Sequence, residues 1–148
     1  MYKHILVPTD GSPLSLKAVK EAAALAKALK GRISALYVIA PFSPPMSGDG
    51  YLPRVGELQA AYKKATEEAA SKALKKAEAT ARAAKVACTT AHVVNDQPWA
   101  GIIKAAKDSK CDVIVMASHG RRGIAGLLLG SETTKVLTHS KTPVLVCR

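Results

Sequence analysis

The sequence predicts an α/β fold, an open parallel sheet with helices on both faces, from three observations. Short continuous apolar runs, such as I-L-V at 5–7 and V-I-V-M-A at 113–117, have the length and composition of strands buried on both sides. Between them lie longer segments whose apolar residues recur at helical spacing. Strand and helix signals alternate along all 148 residues without an internal repeat or linker, which argues right-handed crossovers and one domain over 1–148.

His4 to Pro8 is the first strand, and Thr9-Asp10-Gly11 turns the chain. Ser12 supplies an N-cap and Pro13 an N1 proline for the first helix, whose Leu16, Val19, Ala22, Ala23, Ala26 and Leu29 form the inward face. Gly31 is expected to close this helix as a C-cap. Ile33 to Ile39 is the second strand. The loop Pro41 to Pro53 holds four prolines and two glycines, and a loop of such length is more often functional than decorative.

An Ala-rich helix then runs from around Gly56 to about Lys85, with Leu58, Tyr62, Ala65, Ala69, Leu74, Ala77, Ala81 and Ala84 expected on its buried side. At ~1.5 Å per residue it spans roughly 40 Å, so its first turns should overhang the sheet. The third strand lies near Thr89 to Val94. Asn95-Asp96-Gln97-Pro98 turns into a helix carrying Trp99, Ile102, Ile103 and Ala106. Val113 to Ala117 is the fourth strand, Ser131 is the expected N-cap of a helix with Val136 and Leu137, and Pro143 to Cys147 is the last strand.

Composition narrows the function. No apolar run approaches the length of a membrane span, and Pro8 ends the first apolar run far short of a signal sequence, so a cytoplasmic location is expected. Cys88, Cys111 and Cys147 lack C-x-x-C spacing and read as buried reduced thiols. His4, His92 and His139 are scattered without metal-ligand spacing. The net charge of +11 attracts anions of any kind; much of it lies on the second helix, interleaved with glutamates as on a solvated face. With one Phe and one Trp, stacking platforms for nucleic acid are scarce, so a nucleic-acid partner is not expected.

The chemistry concentrates between Val113 and Glu132, V-I-V-M-A-S-H-G-R-R-G-I-A-G-L-L-L-G-S-E. A strand runs into a loop holding Gly120, Gly123, Gly126 and Gly130, and the loop runs into a helix start. Glycines let backbone N–H groups approach a ligand closely, and a helix N-terminus offers unpaired donors, an arrangement that suits phosphate. There is no Gly-Lys-Ser/Thr of a Walker A loop and no G-x-G-x-x-G dinucleotide fingerprint.

From Gly120 through nine residues to Gly130-Ser131, the segment resembles the G-x2-G-x9-G-S/T signature of the ATP-binding branch of the universal stress protein family. The resemblance extends from I-L-V-P-T-D-G-S near the start to T-P-V-L-V-C-R at the end. It implies a five-stranded, Rossmann-like sheet of order 3-2-1-4-5, similar to the adenine nucleotide alpha hydrolases, with the ligand where strands one and four diverge.

The same resemblance implies a site for ATP and Mg²⁺. Asp10 accepts from a ribose hydroxyl or holds Mg²⁺ indirectly, through the nucleotide. Val38 pairs its backbone with adenine, and Pro8 and Thr9 wall the base. Met116 and Ala117 end the fourth strand beside it. Gly120, Gly130, Ser131 and Glu132 present backbone or hydroxyl donors to phosphate, with His119 and Arg122 in the same loop. From the residues alone, Asp10 also reads as an Asx-turn residue ahead of the first helix, and His119 reads as an ordinary loop histidine.

One position departs from the family pattern: Ala117 stands where the signature has its first glycine. Its methyl crowds a triphosphate if that position needs φ > 0, and costs little if it ends the strand in β geometry. The implied function is a regulator that binds ATP and signals by ligand state to a downstream protein. The competing readings are a slow ATP-hydrolysing enzyme, for which a P-loop lysine and a water-positioning residue are missing, and a basic RNA- or surface-binding module. In the implied order the last strand is a sheet edge with no charge inside it, which invites a homodimer.

Overall fold

The computed structural model describes residues 1–46, 54–120 and 129–148. Five strands, β1 (His4–Pro8), β2 (Arg32–Ile39), β3 (Cys88–Val94), β4 (Val113–Ala117) and β5 (Val144–Cys147), form one sheet of order β3-β2-β1-β4-β5, every pairing parallel. The helices are α1 (Pro13–Leu29), α2 (Val55–Ala83), α3 (Pro98–Asp108) and α4 (Ser131–His139).

The side-chain period of two sorts the central strands between two cores. Ile5, Val7, Ile33, Ala35, Val113, Val115 and Ala117 point to one face, where they meet Val19, Ala22 and Ala26 of α1 and Leu74, Ala77 and Ala81 of α2. Leu6, Leu36, Ile114 and Met116 point to the other, against Ile102 and Ala106 of α3 and Val136 of α4. The continuous apolar runs of β1 and β4 are thus strands covered on both faces. By contrast β3 is an edge strand with Thr89, Thr90, Ala91 and His92 exposed.

Ser12 caps α1 as its sequence position suggests, its Oγ accepting from the Ser15 N–H at 3.2 Å, with Pro13 in the first turn. Gly31 does not close that helix. Lys30 takes the left-handed conformation (φ 53°), while a Cβ on Gly31 would lie 2.7 Å from the Lys3 carbonyl oxygen. The glycine is needed for the close passage of β1 and not for the cap.

In α2 the expected inward face holds at Leu74, Ala77 and Ala81, which are buried together with Ala70 and Ala73, while Ala69 and Ala84 are half-buried. Leu58 and Ala65 are exposed instead, because the first turns extend beyond the sheet. There Tyr62 donates to the Ala40 carbonyl at 2.7 Å and packs against Phe42 with ring centroids 5.5 Å apart. The three cysteines are free thiols; burial pushes the Cys111 pKa up to about 11, so it stays protonated and unreactive at neutral pH. No helix among the described residues is long and apolar enough to cross a membrane.

Candidate functional site

The strand order places the topological switch between β1 and β4. From the carboxyl end of β1 the chain leaves to α1 on one face, and β4 is followed by α4 on the other, so the connections diverge at the place where open α/β sheets form a ligand crevice.

Past β1, the Thr9 N–H donates to the Leu36 carbonyl at 2.8 Å, the last rung that β1 contributes to β2. Thr9 is buried, and its hydroxyl lies 3.0 Å from Ser15 Oγ and accepts from the Gly11 N–H at 3.2 Å. Asp10 Oδ1 accepts from the Ser12 N–H at 2.9 Å, an Asx turn that fixes the carboxylate at the strand end. The turn and ligand readings of Asp10 are therefore compatible, because one oxygen builds the turn and the other points across the crevice. Its Oδ2 lies 2.7 Å from the place a Cβ on Gly120 would occupy. The two segments singled out in the sequence, Thr9-Asp10-Gly11 and the start of the glycine loop, thus meet across the switch point, and a side chain on the loop side would displace the carboxylate.

Val38 lies two residues beyond Leu36 on β2, so in a parallel ladder its N–H and C=O face the same edge, past the point where β1 has ended. Its side chain packs under α3, and Gly101 permits that approach: a Cβ there would meet Val38 Cγ1 at 3.4 Å and Asn95 Cβ at 3.2 Å. Pro8, half-buried, ends β1 on this side of the crevice.

On the β4 side, Ala117 is buried in strand geometry, in register with Cys147, and its side chain faces the α1 core. It is absent from the left-handed residues of the described chain. Met116 packs into the opposite core. Ser118 Oγ and His119 Nδ1 are 3.2 Å apart. The chain returns at Gly130, whose N–H donates to the Ser118 carbonyl at 2.7 Å, and a Cβ on Gly130 would lie 3.2 Å from both Cα and Cβ of His119.

Gly130, in extended conformation, is the N-cap of α4, and Ser131 is its first helical residue instead of the cap. This moves the helix entrance one residue nearer the loop. Ser131 is exposed and Glu132 half-buried. Arg122, with Arg121, Gly123 and Gly126, lies outside the described residues.

Two contacts here escaped the sequence reading. Thr133 Oγ1, buried, donates to the Ala117 carbonyl at 3.0 Å and ties α4 to the end of β4. The Glu132 carboxylate accepts from the Trp99 N–H at 2.8 Å, across to α3. A threonine inside a helix and a glutamate in its first turn are too ordinary to signal such bonds in advance.

The profile of the Universal stress protein family matches residues 1–148. The chain belongs to this family. It is similar to a universal stress protein of Methanocaldococcus jannaschii, 33% identical over 150 residues that cover 100% of this chain and 83% of the relative. Among solved structures it resembles MJ0577 of the same organism, with a TM-score of 0.79 and 34% identity over 99% of this chain and 95% of the other. It also resembles a universal stress protein solved in complex with cAMP, with a TM-score of 0.72 and 30% identity over 99% and 97% of the two chains. The family membership and the sheet order agree with what the glycine-loop signature implied.

Proposed function

We propose that this universal stress protein is a cytoplasmic, single-domain regulator that binds ATP with Mg²⁺ at the β1/β4 switch point and signals by its ligand state to a downstream protein. The observation that carries the reading is the convergence of Asp10 with Gly120, together with the Gly130 entrance to α4. A carboxylate at a strand end and a clearance kept free of side chains are held on opposite walls of one crevice. The relative in complex with cAMP supports an adenine nucleotide as the ligand class.

In this reading the Val38 backbone edge takes the adenine between Pro8 and Thr9, with Met116 and Ala117 behind. Asp10 accepts from the ribose. The N–H groups at Gly120, Ser131 and Glu132 donate to phosphate oxygens beside Gly130, helped by the positive end of α4, with His119 alongside. The residues suit the group, since a strand-end carboxylate, two glycines whose backbone approaches Asp10 and His119 too closely for a Cβ, and a helix N-terminus lie together. Mg²⁺, when bound, neutralises phosphate charge, and Asp10 holds it only through the nucleotide.

Mass spectrometry of the small molecule released on denaturing freshly purified protein, followed by calorimetry with ATP, ADP, AMP and cAMP, tests the reading. Absence of any adenine nucleotide and of any measurable heat would remove it.

The same proposal includes a homodimer through β5. This strand is a sheet edge on which Leu145 is 45% exposed, and an unpaired edge of V-L-V character is a template for a second copy. Sedimentation should show a dimer at micromolar concentration, and Leu145→Lys should convert it to monomer. A wild-type monomer, or a dimer indifferent to the lysine, would displace the interface from this edge.

A further inference from the structure

We infer that Glu132 is a positioning residue that couples the phosphate end of the crevice to the base end by clamping the N-termini of α4 and α3 together. The inference rests on the nucleotide site proposed above and adds a mechanism by which occupancy of one end is felt at the other.

The argument begins with the donors at the start of α3. Its N-cap, Gln97, makes no side-chain capping bond, and Pro98 has no N–H to satisfy. The Ala100 and Gly101 N–H groups both donate to the Gln97 carbonyl, at 3.0 and 3.1 Å. Trp99 is left as the donor that the helix itself cannot serve. Glu132 serves it from another helix, with Oε2 at 2.8 Å, while its Oε1 lies 3.7 Å from Lys135 Nζ. The carboxylate is thus committed to the positive end of α3, and its charge is drawn away from the phosphates expected at the start of α4. A second contact reinforces the clamp, for the Trp99 ring lies against His139 of α4 with centroids 4.8 Å apart.

Each end of this clamp leads to one end of the crevice. On the α4 side, Glu132 stands two residues after Gly130, and Thr133 fastens the same turn to the Ala117 carbonyl. On the α3 side, Gly101 stands two residues after Trp99 and packs the helix on Val38, where a Cβ would just touch Cγ1 at 3.4 Å. The path from the helix entrance through Glu132, Trp99 and Gly101 to Val38 runs through packed or hydrogen-bonded neighbours throughout. A ligand that pulls on α4 therefore shifts α3 and the strand edge offered to the base. Adenosine, which lacks phosphate, engages one end of the path only.

Glu132→Ala cuts the clamp, and Glu132→Gln keeps an acceptor at the same reach. In the ligand-free protein Glu132→Ala should shift the emission of Trp99 to the red and open it to acrylamide, and Glu132→Gln should restore both. Because Trp99 is the one tryptophan in the chain, the signal has a single source. By calorimetry Glu132→Ala should weaken ATP by about tenfold and adenosine by less than about threefold, with Glu132→Gln returning to within about threefold of wild type for ATP.

Unchanged Trp99 emission in Glu132→Ala would overturn the clamp. ATP and adenosine weakening in parallel, or neither weakening, would overturn the coupling and leave Glu132 a stability residue. Wild-type protein that binds neither ligand would remove the nucleotide site, and the coupling with it.

Discussion

Replacing Gly120 by alanine tests the crevice at its narrowest point. The new Cβ would sit 2.7 Å from Asp10 Oδ2, and its next neighbour, Asp10 Cγ, is 3.7 Å away. The overlap is roughly 0.7 Å against ordinary contact, too much to absorb without movement. What moves is the end of one side chain: the carboxylate swings, and the cost includes the Oδ1 bond to the Ser12 N–H. A net hydrogen bond of this kind contributes about 0.5–1.5 kcal/mol, so the melting temperature should fall by roughly 1–6 °C and the fold should survive. Nucleotide binding should suffer more. A bond from a ribose hydroxyl to an ionised carboxylate is worth about 1.5–3 kcal/mol, so displacing Asp10 should weaken ATP by roughly 10- to 150-fold. Calorimetry on the folded variant gives the affinity and differential scanning the stability. Asp10→Asn, which keeps the turn and loses the charge, should weaken ATP in the same direction without the steric effect. ATP affinity within about threefold of wild type in Gly120→Ala would refute the placement of Asp10 in the site.

Three further outcomes follow from the geometry. Gly31→Ala should destabilise by about 1–3 kcal/mol through the clash with the Lys3 carbonyl, whereas Lys30→Gly should stabilise by up to about 1 kcal/mol by relieving the left-handed residue; thermal unfolding measures both. Ala117→Gly should leave the affinities for ATP and AMP in their wild-type ratio and cost about 1 kcal/mol of stability, because the methyl faces the α1 core in a regular strand; a selective gain for ATP in calorimetry would contradict that geometry. For pH, burial and then the Arg32 guanidinium lower the His4 pKa below its ordinary 6.5, so the folded state binds fewer protons than the unfolded chain. Stability should be full above pH 6.5 and decline as the pH falls through the lowered value. His4→Gln, which still offers a donor toward Ser34 Oγ, should flatten that part of the urea midpoint against pH. Asp112, whose pKa the His4 and Lys3 N–H groups hold below its ordinary 3.8, adds a further loss as the pH falls through that lowered value.

Local chemistry determined much of this protein from the sequence alone. The apolar runs of β1 and β4, the Ser12-Pro13 start of α1 and the Pro98 start of α3 are readable because each depends on residues within a turn of one another. The glycine loop was legible as a place for close backbone approach, and its spacing carried the family and, through the family, the strand order. What lay beyond reach were contacts between residues far apart in the chain. Gly31 reads as a helix stop, yet the neighbour that demands a glycine there is Lys3, just ahead of β1. Leu58 and Ala65 follow the helical period of α2, but burial needs a sheet beneath them and the sheet ends first. Ser131 has the chemistry of a cap, and the tight Gly130 N–H bond to the Ser118 carbonyl accompanies a helix that starts one residue earlier than a serine cap requires. Glu132 has many possible partners along its own helix, and only the packing of α3 against α4 brings the Trp99 N–H within 2.8 Å. Periodicity and capping are properties of a few neighbouring residues, whereas the choice of partner for a buried or committed polar group is made by whatever the tertiary fold sets beside it.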